Sequence, residues 1–305
     1  MSDPGKYLIV GGSTKCGTTS VFSYFQFHPQ VCPCVMKESR YFLESDYLFS
    51  AGRKNTPEVD SFSKLFSGCT DSQLRFEATP DYLYSQIAID RIGAELEQVK
   101  LVFILRDPVD RLISWYKFAS LNGMIPKEVS FDEFISMQSF ESTAPQHLRA
   151  MEQGCYSKYL RAFISRFGKE RIHVCFYETL KTDPQNLCSG IASFAGIDTN
   201  YFEGYRFEVF NPSVPVKSVM MHRLMRQFKR SVRPLTRLFP DKVREKLKFA
   251  GRKAENLYIA ANKDTDGTEV VIGNDTIHHL RKLYKNEPAE IARLTGRQPD
   301  WNYLQ

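Results

Sequence analysis

Tyr7-Leu8-Ile9-Val10-Gly11-Gly12-Ser13-Thr14-Lys15-Cys16-Gly17-Thr18-Thr19-Ser20 is the stretch around which the rest of the chain is placed. Leu8, Ile9 and Val10 form the short apolar run of a parallel strand covered on both faces. Gly11, Gly12 and Gly17 permit a sharp turn and a close backbone approach. Thr18, Thr19 and Ser20 then open a helix whose first N–H groups lack intrahelical partners. Backbone donors, a helix N-terminus and Lys15 together make an anion cradle.

The order is not that of a Walker A loop, Gly-x4-Gly-Lys-Ser/Thr, because Lys15 precedes Gly17 by two positions. Nor does a magnesium-binding aspartate follow a hydrophobic strand in the usual manner. A second grip follows another buried-type strand, Val99 to Leu105: Arg106-Asp107-Pro108-Val109-Asp110-Arg111-Leu112-Ile113-Ser114-Trp115-Tyr116. Pro108 suits the first turn of a helix, which puts Arg111 and Ser114 on adjacent turns of one face. An arginine at the strand end and a serine in the following helix can clamp a phosphate jointly. Asp107 and Asp110 read as helix-capping and arginine-orienting groups. Two anion grips after two core strands imply a ligand carrying negative charge at both ends.

These residues resemble the PAPS-dependent sulfotransferases, enzymes that use 3′-phosphoadenosine-5′-phosphosulfate. Lys15-Cys16-Gly17-Thr18-Thr19-Ser20 is similar to their 5′-phosphosulfate loop. Arg106 to Tyr116 matches their 3′-phosphate signature, Arg-Asp-Pro-x-x-Arg-x-x-Ser-x-Tyr. The resemblance implies that Lys15, Cys16, Gly17, Thr18, Thr19 and Ser20 bind the 5′ end of the cofactor, and Arg106 and Ser114 its 3′-phosphate. Lys37-Glu38-Ser39-Arg40-Tyr41-Phe42 resembles the Lys-Glu-x-x-Phe-Phe segment of the heparan-sulfate-type enzymes, in which the glutamate is the general base. Glu38 and Lys15 are therefore the implied catalytic pair, with no metal. On the residues alone, Glu38 paired with Lys37 or Arg40 on a solvated face is the commoner arrangement. Arg75 to Tyr82 resembles an acceptor-pocket segment, Glu-Lys-Thr-Pro-x-Tyr, with Ala78 in place of the lysine. Phe210 to Ser218 resembles a loop of bacterial-type members; Lys217 stands where an arginine is usual and is a further implied cofactor ligand.

The fold expected is α/β: a P-loop-like three-layer arrangement with a central, mainly parallel sheet flanked by helices. A single domain over residues 1–305 is expected, with its core over about 5–200 and a helical, basic part over about 215–305. Gly154 to Gly168 reads as an amphipathic helix, with Tyr156 near the cofactor, and Arg171 to Glu178 as a strand. Asp183 to Ala195 reads as a helix, and Ile277 to Leu294 as one closing helix with Trp301 as an aromatic plug. Residues 50–72 read as an excursion over the site's mouth. Phe118 to Ala150, with Gln146 and His147, read as acceptor wall.

Composition sets the wider limits. With 305 residues, 42% hydrophobic and 25% charged, the chain is an ordinary globular sequence, and its net charge of +6 is low for a nucleic-acid binder. There is no signal-peptide pattern at Met1 to Lys6 and no apolar run of spanning length. Seven cysteines without a framework spacing read as free thiols, hence a cytoplasmic protein. Basic residues dominate Lys217 to Lys253 around an apolar periodicity; a packed helix with a charged face is favoured, and contact with an anionic membrane surface stays open. The activity expected is sulfuryl transfer from PAPS to a hydroxyl or amine of a small-molecule, glycan or lipid acceptor, with release of PAP. The competing classes are a nucleoside-triphosphate-dependent P-loop kinase and a non-catalytic nucleotide-binding module.

Overall fold

The computed structural model describes residues 3–44, 47, 59–66, 68–126, 128–141, 144, 148–208, 270–301 and 303. Lys217, the basic stretch 217–253, Gln146 and His147 lie outside the described residues. The strands are β1 (Asp3–Gly12), β2 (Val31–Pro33), β3 (Leu74–Ala78), β4 (Leu96–Leu105) and β5 (Ile172–Phe176). They form one parallel sheet in the order β2-β3-β1-β4-β5. Val10 lies opposite Ala78 on one side and Val102 on the other, so the ends of β1, β3 and β4 are level at the carboxyl edge. The chain leaves β1 toward one edge and later crosses to the other, which opens a crevice beside β1 at that end.

Alternation along β1 sorts the two faces. Tyr7 and Ile9 join Leu101, Phe103 and the helices α2 (Gln86–Glu95) and α5 (Tyr156–Phe167) in one core. Leu8 and Val10 join Val102, Ile104 and the helices α1 (Thr18–Phe25) and α7 (Pro184–Ala195) in the other. A third cluster, around Leu112, Trp115 and Phe131, packs α3 (Pro108–Leu121) and α4 (Phe131–Ser136) against α8 (Asn274–Tyr284). The short α6 (Tyr177–Thr182) follows β5 directly.

Three expectations are corrected. The closing helix is two helices, α8 and α9 (Glu287–Thr295). Pro288 has no N–H to continue the ladder from α8 and sits instead in the first turn of α9. The apolar piece Phe62–Phe66 is a buried 3-10 turn whose rings lie 5.4 and 5.5 Å from that of Tyr7, so it covers the sheet face rather than the carboxyl edge. The cysteines are not all free: Cys32 of β2 forms a disulfide with Cys69, their Cα atoms 5.6 Å apart. Cys16, Cys34, Cys155, Cys175 and Cys188 remain thiols. Because the paired residues are 37 positions apart, their meeting depends on the Phe62–Phe66 turn docking beside β2, where the Val35 N–H donates to the Leu65 carbonyl at 3.0 Å. Disulfides persist in oxidising surroundings, so this pair removes the support that unpaired thiols gave to a reducing compartment.

The last described segment returns to the middle of the chain. The Tyr284 hydroxyl donates to the Met151 carbonyl at 2.6 Å. Glu287 accepts from the N–H and the hydroxyl of Ser157 at 2.8 and 2.9 Å. The Tyr303 hydroxyl donates to Asp107 at 2.8 Å.

Closing a loop of this length is worth about 2 to 4 kcal/mol. Cys69→Ser is expected to lower unfolding stability by that amount in urea titrations run without reductant. Seven titratable thiols in the unreduced, unfolded protein would show that the bond is absent.

Candidate active site

Three segments meet at the carboxyl edge of the sheet. The first is the loop from β1 to α1. A Cβ on Gly12 would stand 2.8 Å from Leu83 Cβ and 3.1 Å from the Phe103 ring, so only glycine lets the strand end pass there. The Ser13 N–H donates to the Ile104 carbonyl at 2.9 Å, which ties the loop to β4. Gly17 is left-handed, with φ 82°, and any side chain there would meet Leu180. The earliest backbone bond of α1 runs from the Ser20 N–H to the Gly17 carbonyl at 2.9 Å, so the Thr18 and Thr19 amides precede the helix's own ladder. No side chain caps this end, and its first turn holds no acid. The Cys16 side chain is buried in the core, and its thiol, pushed up to about 11 by burial, turns back toward the Thr14 carbonyl at 3.5 Å.

The second segment is the turn after β2. The Glu38 N–H donates to the Ala78 carbonyl at 3.1 Å, docking the turn on the end of β3. Beneath it Glu77 is fully buried, and its Oε1 accepts from the Ser39 N–H and hydroxyl, both at 3.1 Å, and from the Thr79 hydroxyl at 2.5 Å. Thr79 Oγ1 in turn accepts from the Arg40 N–H at 3.2 Å. Burial pushes Glu77 up to about 7, against the pull of the Thr79 and Ser39 bonds. Glu38 pairs with Lys37 at 2.5 Å and with Arg40 at 3.5 Å. Burial alone would raise its pKa, but Lys37 and then Arg40 outweigh that and hold the carboxylate below its ordinary value.

The third segment joins β4 to α3. Asp107 caps α3 through the amides of Val109 and Asp110, at 2.8 and 3.0 Å, as the sequence suggests. Arg106 lies with its guanidinium 4.7 Å over the Tyr177 ring, and its Nη2 is 3.3 Å from Asp110. Its carbonyl accepts from the Tyr156 hydroxyl at 2.9 Å, while its Nε is buried with no partner among the described residues. Ser114 is buried two turns along α3, and its hydroxyl makes no bond among the described residues.

Lys15 joins the segments. Its Nζ lies 4.5 Å over the Phe118 ring. Burial first, and the charge of Arg106 second, lower its pKa to about 8, while Glu38 pulls the other way. The two cations and the carboxylate therefore share one electrostatic neighbourhood. An orphan guanidinium nitrogen, an uncapped helix start and a lysine short of a counter-charge suit a polyanionic ligand. Sequence reasoning missed the Glu77 clamp, the Tyr177 platform and the burial of Arg111. Of these, Tyr177, the aromatic that follows β5, offered a signal, since the cation that follows the neighbouring strand β4 ends beside it.

A family model described as the sulfotransferase domain matches residues 5–214. The chain belongs to the sulfotransferase domain family. The P-loop-like fold expected from the sequence stands. The bifunctional heparan sulfate N-deacetylase/N-sulfotransferase 1 of Xenopus tropicalis is 26% identical over 213 residues, covering 67% of this chain and 24% of that protein. The corresponding human protein 2 is 27% identical over 215 residues, with 67% and 23% covered. The chain thus spans about a quarter of the length of these curated relatives. The solved sulfotransferase from Alicyclobacillus acidocaldarius shares the fold, with a TM-score of 0.65, 20% identity and 98% of both chains covered.

Lys15 is charged below about pH 8 and loses its proton above it, whereas a bound anion favours the charged form. PAP affinity of this sulfotransferase is therefore expected to weaken as pH rises from 7 to 9, with proton uptake on binding in calorimetry. Lys15→Met should flatten that dependence. An equally steep dependence in the variant would show that another group carries it.

Proposed function

We propose that PAPS is gripped at its 5′ end by the loop from Lys15 to Ser20 and at its 3′-phosphate by Arg106 and Ser114, and that Glu38 is the base that takes the proton of the acceptor. The observation that carries this reading is the placement of Lys15, Arg106 and Glu38 within one field, on loops that leave neighbouring parallel strands. PAPS supplies the activated sulfuryl group. The chain's own residues orient it and handle charge: the amides of Thr18 and Thr19 and the Lys15 ammonium face a developing negative charge, while Glu38, ionised at neutral pH, accepts the proton.

Lys37 has a double effect on Glu38. It keeps the carboxylate ionised, and by lowering its pKa it weakens it as a base. The acceptor is proposed as a hydroxyl or amine on a glycan, small molecule or lipid, the glycan being supported by the similarity to the heparan sulfate N-deacetylase/N-sulfotransferases.

Lys15→Ala is expected to reduce turnover about 100-fold or more at saturating PAPS, the usual worth of one preorganised donor at such a position. Near-normal turnover would remove the leaving-group role. Glu38→Gln should keep PAP binding and abolish transfer. Lys37→Met should move the acid limb of kcat/KM to higher pH, because the carboxylate loses the cation that depresses its pKa. An unmoved limb would mean that Glu38 is not the group titrating. Magnesium-independent binding of PAP in preference to ATP and GTP separates this reading from a kinase.

A further inference from the structure

Arg111 is the most deeply buried cation among the described residues, with 0% of its surface exposed. It lies one turn into α3, behind the loop that follows β1. Its Nη1 donates to Thr14 Oγ1 at 3.5 Å, its Nη2 donates to the Ala150 carbonyl, and its Nε has no partner among the described residues. The titratable groups around it include Tyr84, Tyr156, Tyr284 and the thiols of Cys16 and Cys155, the last also raised by burial. All of these stay neutral at physiological pH, since burial raises each of them. No carboxylate among the described residues pairs with it.

The buried carboxylate nearest in the chain to its Ala150 partner is engaged by other groups. Glu152, two residues from Ala150 and only 2% exposed, takes Arg149 at 3.1 Å, Lys158 at 2.5 Å and the Tyr159 hydroxyl together. The fold therefore places a buried carboxylate close by and spends it elsewhere. A guanidinium removed from water without an anion is a burden on the folded state, and replacing such a charge by an apolar side chain is often neutral or stabilising. The side of Arg111 that could be repaid faces Thr14, inside the loop between Gly12 and Gly17.

We infer that Arg111 is a positioning residue whose buried charge lies under the loop as a standing counter-charge for the 5′ group of the nucleotide. The ligand-free protein carries it at a cost in stability, and the ligand's own negative charge offsets that cost on binding. Its partner is thus the anion that Lys15 meets from the open side. Arg111 meets it across the loop without touching it, and its bond to Thr14 holds the loop over the charge. This inference rests on the donor assignment above.

The test combines thermal unfolding with calorimetry on the full chain, using PAP and adenosine 3′-monophosphate, which lacks the 5′ group. Arg111→Met is expected to melt at the wild-type temperature or above it without ligand. It should bind PAP about tenfold or more weakly, as buried charges left without their partner do, and bind adenosine 3′-monophosphate almost as the wild type does. Arg111→Lys, which keeps the charge, should retain most of the PAP affinity. Equal losses for both nucleotides, unchanged PAP binding by Arg111→Met, or equal loss in Arg111→Lys would overturn the inference. A lower ligand-free melting temperature, or failure to fold, in Arg111→Met would overturn its stability half, and Arg111→Lys then decides the charge half. A wild-type protein that binds no PAP would strike at the donor assignment itself.

Discussion

Positive charge gathered at one end of a parallel sheet, and only partly neutralised there, is the constraint on which the rest of the site depends. Lys15 lies between burial and the field of Arg106. Arg106 rests on Tyr177 with one exposed aspartate beside it. Arg111 is enclosed with no carboxylate paired to it among the described residues. Like charges do not collect in a low-dielectric crevice unless the fold forces them together. Here the force comes from the sheet: β1 and β4 are paired from Tyr7–Val99 to Val10–Val102, and apolar layers on both faces fix where each strand releases its loop. The packing of the apolar layers on the two faces of the sheet thus sets the spacing of the cations at its edge.

The same edge holds three non-glycine residues in the left-handed region: Lys15, Glu38 and Arg40, with φ of 66°, 59° and 56°. Each such conformation costs roughly 1 to 2 kcal/mol. They are among the residues whose charges define the site, and outlying backbone at functional positions is a common pattern. The turn that carries Glu38 and Arg40 is held from below by Glu77, Thr79 and Ser39, whose bonds converge on a single buried oxygen. Lys37 and Arg40 are the cations paired with the Glu38 carboxylate. The commoner surface arrangement, a paired glutamate, thus occurs here in company with a place in the site.

What could be read from the sequence was local. Leu8 to Val10 followed by glycines, and Leu101 to Leu105 followed by Arg106 and Pro108, announce strand, turn and helix within a dozen residues, and both segments fold as expected. What could not be read depended on residues far apart in sequence. Glu77, between Phe76 and Ala78, looks like the exposed position of an alternating strand, yet β3 lies between β1 and β2 and the side chain is enclosed. Arg111, which its spacing puts on one face with Ser114, carries no sign in the sequence that Ala150 and Thr14 close over it. The disulfide partners are separated by a stretch with no periodicity to place it. The closing stretch reads as one helix through Pro288, and the break there is seen only with the two helices in view.

The bonds from Tyr284, Glu287 and Tyr303 back to Met151, Ser157 and Asp107 span 133, 130 and 196 positions. Contacts of such range are slow to form, because a long loop must close before they return anything. The aspartate that caps α3 receives its tyrosine only after residue 303 has emerged. Asp107, next to Arg106, therefore keeps that partner only while the far end of the described chain is docked against α3 and α5.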